Sequence, residues 1–236
     1  MRPSFWSRGA TALAEGIFGG TCYLCRGAST GTLCAPCKAD LPYLSRPRCP
    51  SCGLPTIEGT LCGRCLGERP AFDSTVAVFA YAFPADVLVQ GLKFRGELAL
   101  ARLLADEMCG EIRSASGVAV DLVVPVPLHD SRLRERGYNQ SVEIARGLAS
   151  RLDLPVAVDA CHRVRNTAAQ LGLPLNERRK NVRGAFSCTR ALDGKTVAVV
   201  DDVMTTGATL NEVASTLKKF GAGRVVNWVL ARTPPD

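Results

Sequence analysis

The residues best placed to do chemistry are Asp201 and Asp202, followed closely by Thr205, Thr206, Gly207, Ala208 and Thr209. Two adjacent carboxylates suit the hydroxyls of a polyol or a phosphate-bound Mg²⁺, but repel a phosphate itself. The hydroxyls, the glycine and the backbone N–H groups that follow suit a phosphate when a helix begins there and adds the positive end of its dipole. Together they read as a sugar-phosphate site. The neighbouring sequence supplies the elements that such a site needs. Val197, Ala198, Val199 and Val200 are a compact apolar run, expected as a strand buried on both faces and ending at the acids. Leu210, Val213, Ala214 and Leu217 recur at helical spacing, and Gly221 ends the pattern. In an open α/β sheet this order places a ligand outside the carboxyl end of the strand. The bland alternative is a strand end with solvated acids and a capped helix.

A second chemistry lies upstream. Eight of the eleven cysteines form four Cys-x-x-Cys pairs: Cys22 and Cys25, Cys34 and Cys37, Cys49 and Cys52, Cys62 and Cys65. The first two repeat in the last two at an offset of 27, then 28, as in an internal duplication. Each pair sets two thiolates on one side of a tight loop, and two such loops close a tetrahedral Cys₄ zinc site with no open position. Gly27, Gly53 and Gly63 are expected to let N–H groups point at sulfur. Sequential pairing within each repeat is the expectation, and crossed pairing stays open. Four copies within 44 residues, outside any βαβ pattern, argue against a redox dithiol. So many metal-spaced cysteines, with no export signal visible, point to a reducing, cytoplasmic setting. Cys109, Cys161 and Cys188 read as small buried hydrophobes.

The chain has 236 residues, 47% of them hydrophobic and 22% charged, which describes a folded protein rather than a disordered one. No apolar run approaches the roughly 20 residues that span a bilayer. Residues 1–20 carry Arg2, Arg8 and a short apolar run interrupted by Glu15, and are expected to form an amphipathic helix packed on the neighbouring domain. The net charge of +7 is concentrated: twelve Lys or Arg lie between Arg132 and Arg190 against five acids. Such a segment suits a polyanion, either pyrophosphate or nucleic acid, although many basic surfaces have no such partner.

The remaining elements alternate. Thr75–Tyr81 reads as a strand, and Leu88–Ile112 as a helix broken by Lys93-Phe-Arg-Gly-Glu97, where two cations beside a glycine either face phosphate or mark a plain helix–helix turn. Asp121–Leu128 reads as a strand entering a proline-stiffened loop with Pro127 and His129, the latter more simply a hydrogen-bonded loop residue than a base. A helix with its start near Asn139–Ser141 follows, then a polar stretch from Arg163 to Phe186 without clear strand or helix until Ala185-Phe-Ser, and a last strand over Val225–Ala231. An Arg-rich lid would shield a reacting pyrophosphate. Strand–helix alternation from about residue 120 predicts a parallel sheet. Gly194-Lys195-Thr196 ends like a P-loop, but Thr189 stands where that motif needs glycine, and no Gly-x-Gly-x-x-Gly follows a strand.

The stretch from Val197 to Thr209 resembles the phosphoribosyl pyrophosphate (PRPP) signature of type I phosphoribosyltransferases. Nearly the full chain resembles the ComF family, competence proteins with an amidophosphoribosyltransferase-like domain and an N-terminal double zinc ribbon. The likeness rests on the paired cysteines, Lys93-Phe-Arg-Gly, Val124-Pro-Val-Pro-Leu128, Arg136-Gly-Tyr-Asn-Gln-Ser141, Arg178-Arg-Lys-Asn-Val-Arg-Gly-Ala-Phe186 and the PRPP signature. It implies an α/β fold: a type I phosphoribosyltransferase-like parallel sheet flanked by helices over 74–236, a small double zinc ribbon over 21–68 with two structural zinc ions, and the helix over 1–20. By the resemblance Asp201 and Asp202 would hold the ribose hydroxyls, directly or through water and Mg²⁺, and Thr205, Thr206, Gly207, Ala208 and Thr209 would cradle the 5′-phosphate. Pro127, His129, Arg136, Asn139 and Gln140, with Arg178, Arg179, Lys180 and Arg183 of a mobile hood, would meet pyrophosphate or nucleic acid. The implied role is assistance to single-stranded DNA uptake or processing in natural transformation, beside DNA-translocating proteins such as a helicase, in the cytoplasm at the inner membrane. An active phosphoribosyltransferase (a glycosyltransferase acting on an amine or base) and a PRPP-sensing regulator are the alternatives. No catalytic residue is assigned.

Overall fold

The computed structural model describes residues 20–115, 119–166 and 180–234. The expected helix over 1–20 falls, but for its last residue, outside them. The chain divides into two compact units between Leu41 and Pro42.

The smaller unit has almost no apolar interior. Strands β1 (Gly20–Thr21) and β2 (Ala28–Ser29) pair antiparallel around a turn closed by Cys22 N–H on the Gly27 carbonyl at 2.8 Å. The single-turn helix α1 (Ala35–Ala39) starts after Cys34, with Pro36 in the first turn, where its missing N–H costs no hydrogen bond. None of the α1 residues is buried.

The larger unit is built on four parallel strands in the order β3 (Ser74–Ala80), β8 (Arg224–Arg232), β7 (Thr196–Met204) and β4 (Leu122–Pro125). The β-branched runs of β7 and β8 occupy the centre because both faces there are covered. Side chains alternate across β7. Val197 and Val199 pack with Val213 and Leu217 of helix α7 (Ala208–Lys219). The opposite face is covered by helices that include α4 (Ala99–Ala115) and α6 (Gln140–Leu152), which approach so closely that a Cβ on Gly147 would lie 2.8 Å from Ala105 Cβ.

Three expectations change. Strand β7 does not end at Val200 but continues through both aspartates to Met204, because pairing to β8 persists from Asp201 opposite Val229 to Met204 opposite Arg232. The residues after Pro127 are not all loop: His129 caps a short helix, α5 (Asp130–Arg136), and Gly137 ends it at φ +81°. The polar stretch is bounded by an unexpected antiparallel pairing, β5 (Cys161–Arg163) with β6 (Phe186–Cys188), the latter overlapping the expected structured segment at Ala185–Ser187. The expected break at Lys93–Glu97 is present, separating α3 (Ala85–Phe94) from α4, with Gly96 at φ +70°.

The second cysteine repeat is part of the larger unit. Leu44 N–H donates to Val78 O at 2.9 Å and Ala80 N–H to Pro42 O at 2.8 Å, so the chain leading into the knuckle lies along the outer edge of β3. Arg48, mostly buried, donates to the carbonyls of Ser45, Leu44 and Ala77. Helix α2 (Gly63–Gly67) follows the last cysteine pair's first member.

Candidate functional site

Asp201 and Asp202 are 8% and 4% exposed. Desolvation of two carboxylates is tolerable only with partners, and the partners come from other elements. Ser141 Oγ donates to Asp201 Oδ1 at 3.1 Å, and the Asp202 backbone N–H donates to the same oxygen at 3.0 Å. Asp202 Oδ2 accepts from Gln140 Nε2 at 3.2 Å and pairs with Lys93 Nζ at 3.0 Å. Burial first, and then the charge of Asp202, push the Asp201 carboxyl up to about 7, against the pull of Lys93. Burial would lower the Lys93 ammonium, but Asp202 and Asp201 outweigh it and hold it above its ordinary value.

These acids line a cavity of about 160 Å³ with Pro127, Gln140, Ser141 and Thr209 and with four cations, Lys93, Arg132, Arg136 and Arg163. Arg136 is aimed by two contacts: it donates to Gln140 Oε1 at 2.5 Å and stacks over Phe94 at 5.4 Å. Arg163 stacks over Phe186 at 5.6 Å across the hairpin. Acid pair and cation ring share one small space, so the cavity can take a ligand bearing both hydroxyls and anionic oxygens.

The loop after β7 is shaped from below. Gly207 caps α7 at φ +81°, a region that glycine alone enters freely, and a Cβ there would lie 2.7 Å from Met204 Cε. Thr206 Oγ1 accepts from Ala208 N–H at 3.2 Å. Arg232, 1% exposed, donates from Nη1 to the carbonyls of Met204 and Thr205.

The expected site residues therefore separate. Asp201, Asp202, Thr209, Pro127, Arg136 and Gln140 meet in the cavity. Thr206, Gly207 and Ala208 line a second cavity of about 230 Å³ with Arg183, Arg64, Cys52 and Cys65, while the Thr205 carbonyl turns to Arg232. His129 and Asn139 are capping residues: His129 Nδ1 accepts from Ser131 N–H at 3.2 Å and Asn139 Oδ1 from Ser141 N–H at 2.9 Å. Both line a groove beside the cavity that shares Pro127, Leu128 and Arg163 with it. Lys180 is exposed in a helical turn; Arg178 and Arg179 fall outside the described residues. Lys93 was expected at a helix break that either faces phosphate or merely turns the chain, Arg163 in the basic lid, Arg132 in the basic segment and Ser141 at a helix start; Arg232 had no expected role. Arg232 had a legible sign, a charge closing an otherwise apolar strand.

The cysteines pair sequentially, Cys22, Cys25, Cys34 and Cys37 in one group and Cys49, Cys52, Cys62 and Cys65 in the other, with the sulfurs of each group within 4.8 Å of one another. Cys25 and Cys34 Sγ are 3.7 Å apart and Cys52 and Cys62 Sγ 3.6 Å. Four thiolates at Zn–S bonds of about 2.3 Å define tetrahedral edges of about 3.8 Å, so both groups fit zinc. Gly27 N–H points at Cys25 Sγ and Cys62 N–H at Cys49 Sγ, each at 3.4 Å. Backbone N–H groups of Cys25 and Cys34 bring the Cys22 thiol down to about 6. The left-handed residue of the first knuckle is Arg26, at φ +63°, rather than Gly27; in the second it is Gly53, at φ +72°. Gly63 instead opens α2.

Parallel sheet, acid pair and paired Cys₄ sites define a class: a phosphoribosyltransferase-type fold carrying zinc ribbons. Comparison with known families agrees. The double zinc ribbon domain matches residues 13–66 and the phosphoribosyl transferase domain residues 139–235. Competence protein F of Haemophilus influenzae is 35% identical over 228 residues, which cover 92% of this chain and 98% of that protein. DNA utilization protein YhgH of Escherichia coli strain K12 is 36% identical over 222 residues, covering 91% and 97%. Competence protein ComFC of Bacillus subtilis is 25% identical over 213 residues, covering 85% and 84%. The chain belongs to the competence protein F family. Among the described residues, no helix is long and apolar enough to cross a membrane.

Proposed function

We propose that the protein binds PRPP, or a related sugar phosphate, in the cavity around Asp201 and Asp202, and that it assists the uptake or processing of single-stranded DNA in natural transformation. The observation that carries the reading is the meeting of two buried carboxylates with Lys93, Arg132, Arg136 and Arg163 in one small space. The carboxylates would accept the ribose 2′- and 3′-hydroxyls, and the cations would take the anionic oxygens. Loop residues Thr205 to Thr209 would hold the 5′-phosphate at the start of α7. Two hard carboxylate oxygens also fit Mg²⁺ carried in on pyrophosphate, and that ion would supply further neutralisation of its charge. DNA-translocating partners, and a cytoplasmic place at the inner membrane, belong to the same reading.

The groove that adjoins the cavity through Pro127, Leu128 and Arg163 favours a second reading, turnover. An acceptor amine or base seated there would attack the ribosyl carbon as its bond to pyrophosphate breaks. Pyrophosphate would leave with the bonding electron pair, and the acceptor nitrogen would release its proton to solvent. Positioning and electrostatic stabilisation of the oxocarbenium-like centre would supply most of the acceleration.

Calorimetric titration with PRPP and Mg²⁺, with and without single-stranded DNA, tests the reading. Asp201→Asn with Asp202→Asn should weaken PRPP binding about 10-fold or more, given the strength of hydrogen bonds to charged groups. Unchanged affinity would remove the acids from the site. Pyrophosphate release lost in the same variant would favour the enzyme, and transformation retained without PRPP binding would separate the two roles. Replacing Arg178, Arg179 and Lys180 together should flatten the salt dependence of DNA binding.

A further inference from the structure

The side chain of Arg232 belongs to neither the cavity nor the metal sites, yet it touches the support of both. It lies fully buried at the carboxyl end of β8. On one side its Nη1 donates to the carbonyls of Met204, at 2.8 Å, and Thr205, the two residues that lead into the phosphate loop. On the other its Nε donates at 3.1 Å to the carbonyl of Cys52, a member of the second tetrad, 180 positions away in the chain. A guanidinium is a rigid planar fork, so carbonyls held by one such group cannot move independently. Thr206 to Ala208 and the tetrad's Cys52 and Cys65 also line one cavity, so the two elements face each other directly. Gly207, packed against Met204 and Phe72, leaves the loop little freedom to absorb a shift.

We propose that Arg232 makes the second cysteine tetrad a positioning element of the phosphate loop, so that zinc held by that tetrad and a sugar phosphate held by the loop stabilise each other. The inference rests on reading the cavity as a sugar-phosphate site. A fixed Cys52 fixes the plane of the guanidinium, and that plane fixes the Met204 and Thr205 carbonyls from which the loop springs. Coupling between two sites is reciprocal. Ligand at the loop therefore slows zinc loss from the second tetrad, and the first tetrad, which has no such strap among the described residues, is unaffected.

The test uses the intact, zinc-loaded protein. Zinc release to a chromogenic chelator is timed with and without ribose 5-phosphate, with Cys25→Ser identifying the phase that belongs to the second tetrad. Saturating ribose 5-phosphate should slow that phase about five-fold or more, and Arg232→Met should abolish the slowing. Equal effects on both phases, or none while the ligand is measurably bound, would overturn the proposal. A ligand-free arm uses Arg232→Lys, which keeps the charge but replaces the fork with a point donor. Amide exchange should quicken at Gly53 on the knuckle and at Thr233, which donates to the Met204 carbonyl, while β4 amides keep their rates. Exchange unchanged at either end would sink the strap. If both ends respond and ribose 5-phosphate does not bind, the strap stands and the sugar-phosphate reading fails.

Discussion

The two cysteine tetrads share a ligand set and differ in everything around it. In the first, Cys22 alone is buried, Cys25 is exposed, and the adjoining helix α1 buries nothing. In the second, Cys49, Cys52 and Cys65 are buried within the same apolar cluster as Val199 and Leu217 of the sheet unit. One metal is the core of its unit; the other is seated in a core that also holds a sheet. Sequence spacing made the tetrads look like equal copies, and the physical difference comes from what packs on them.

Removing one ligand from each tetrad gives the largest contrast. Cys65→Ser should lower the melting temperature of the larger unit by about 10 °C or more, since it takes a metal out of a shared core. Cys25→Ser should leave that transition within about 2 °C, read by differential scanning calorimetry. Similar drops would break the comparison. The left-handed residue after the second cysteine comes next. Gly53→Ala should cost about 1–2 kcal/mol at φ +72°, whereas Arg26→Gly, at φ +63°, should tighten zinc in the first site by about 0.5–1 kcal/mol. Chemical denaturation and competitive chelation measure the two, and effects of the same sign would erase the distinction.

Arg48→Ala sharpens it further. The side chain holds the knuckle's approach to β3 through three carbonyls and pairs with Glu111 at 3.1 Å. Its loss should destabilise the larger unit by about 2 kcal/mol, with zinc affinity of the first site unchanged. A last prediction concerns the acid pair, buried in the larger unit like the second tetrad. An unfolded aspartate titrates near 3.9, and in the folded chain burial and the charge of Asp202 push Asp201 up to about 7. Its folded pKa is raised, so the stability it contributes is complete below about pH 4 and is lost as pH rises through about 7. Ligand-free protein should therefore weaken over that interval, and Asp201→Asn should flatten the slope.

What was legible in the sequence was what is contiguous. Strand, acids, Thr/Gly loop and helix follow one another within Val197–Leu217, so apolar periodicity and turn chemistry sufficed. The strand's end was misplaced because an apolar run marks burial on both faces, while backbone pairing continues under buried acids that have partners. Helix α5 was missed because Arg132 to Arg136 offers no apolar stripe; its determinant is the His129 cap. The cavity's cations were illegible as a set, since Lys93 lies in the last turn of α3, Arg132 and Arg136 lie on α5, and Arg163 ends β5. Only the parallel sheet and its crossovers bring them together.

The sheet joins its earliest strand to its latest. Ser74 of β3 lies opposite Val226 of β8, and Asn227 reaches Thr75 across 152 positions. A ribosome that adds about 5–20 residues per second leaves β3 without its partner for roughly 8–30 seconds. Cys49 to Cys65, by contrast, emerge almost together, so the second knuckle can close on a metal long before the sheet exists. The thiols of the nascent chain then face whichever thiophilic ion is at hand, with copper binding more tightly than zinc. Zinc present during translation should accordingly raise the yield of folded chain more than the same zinc added after release.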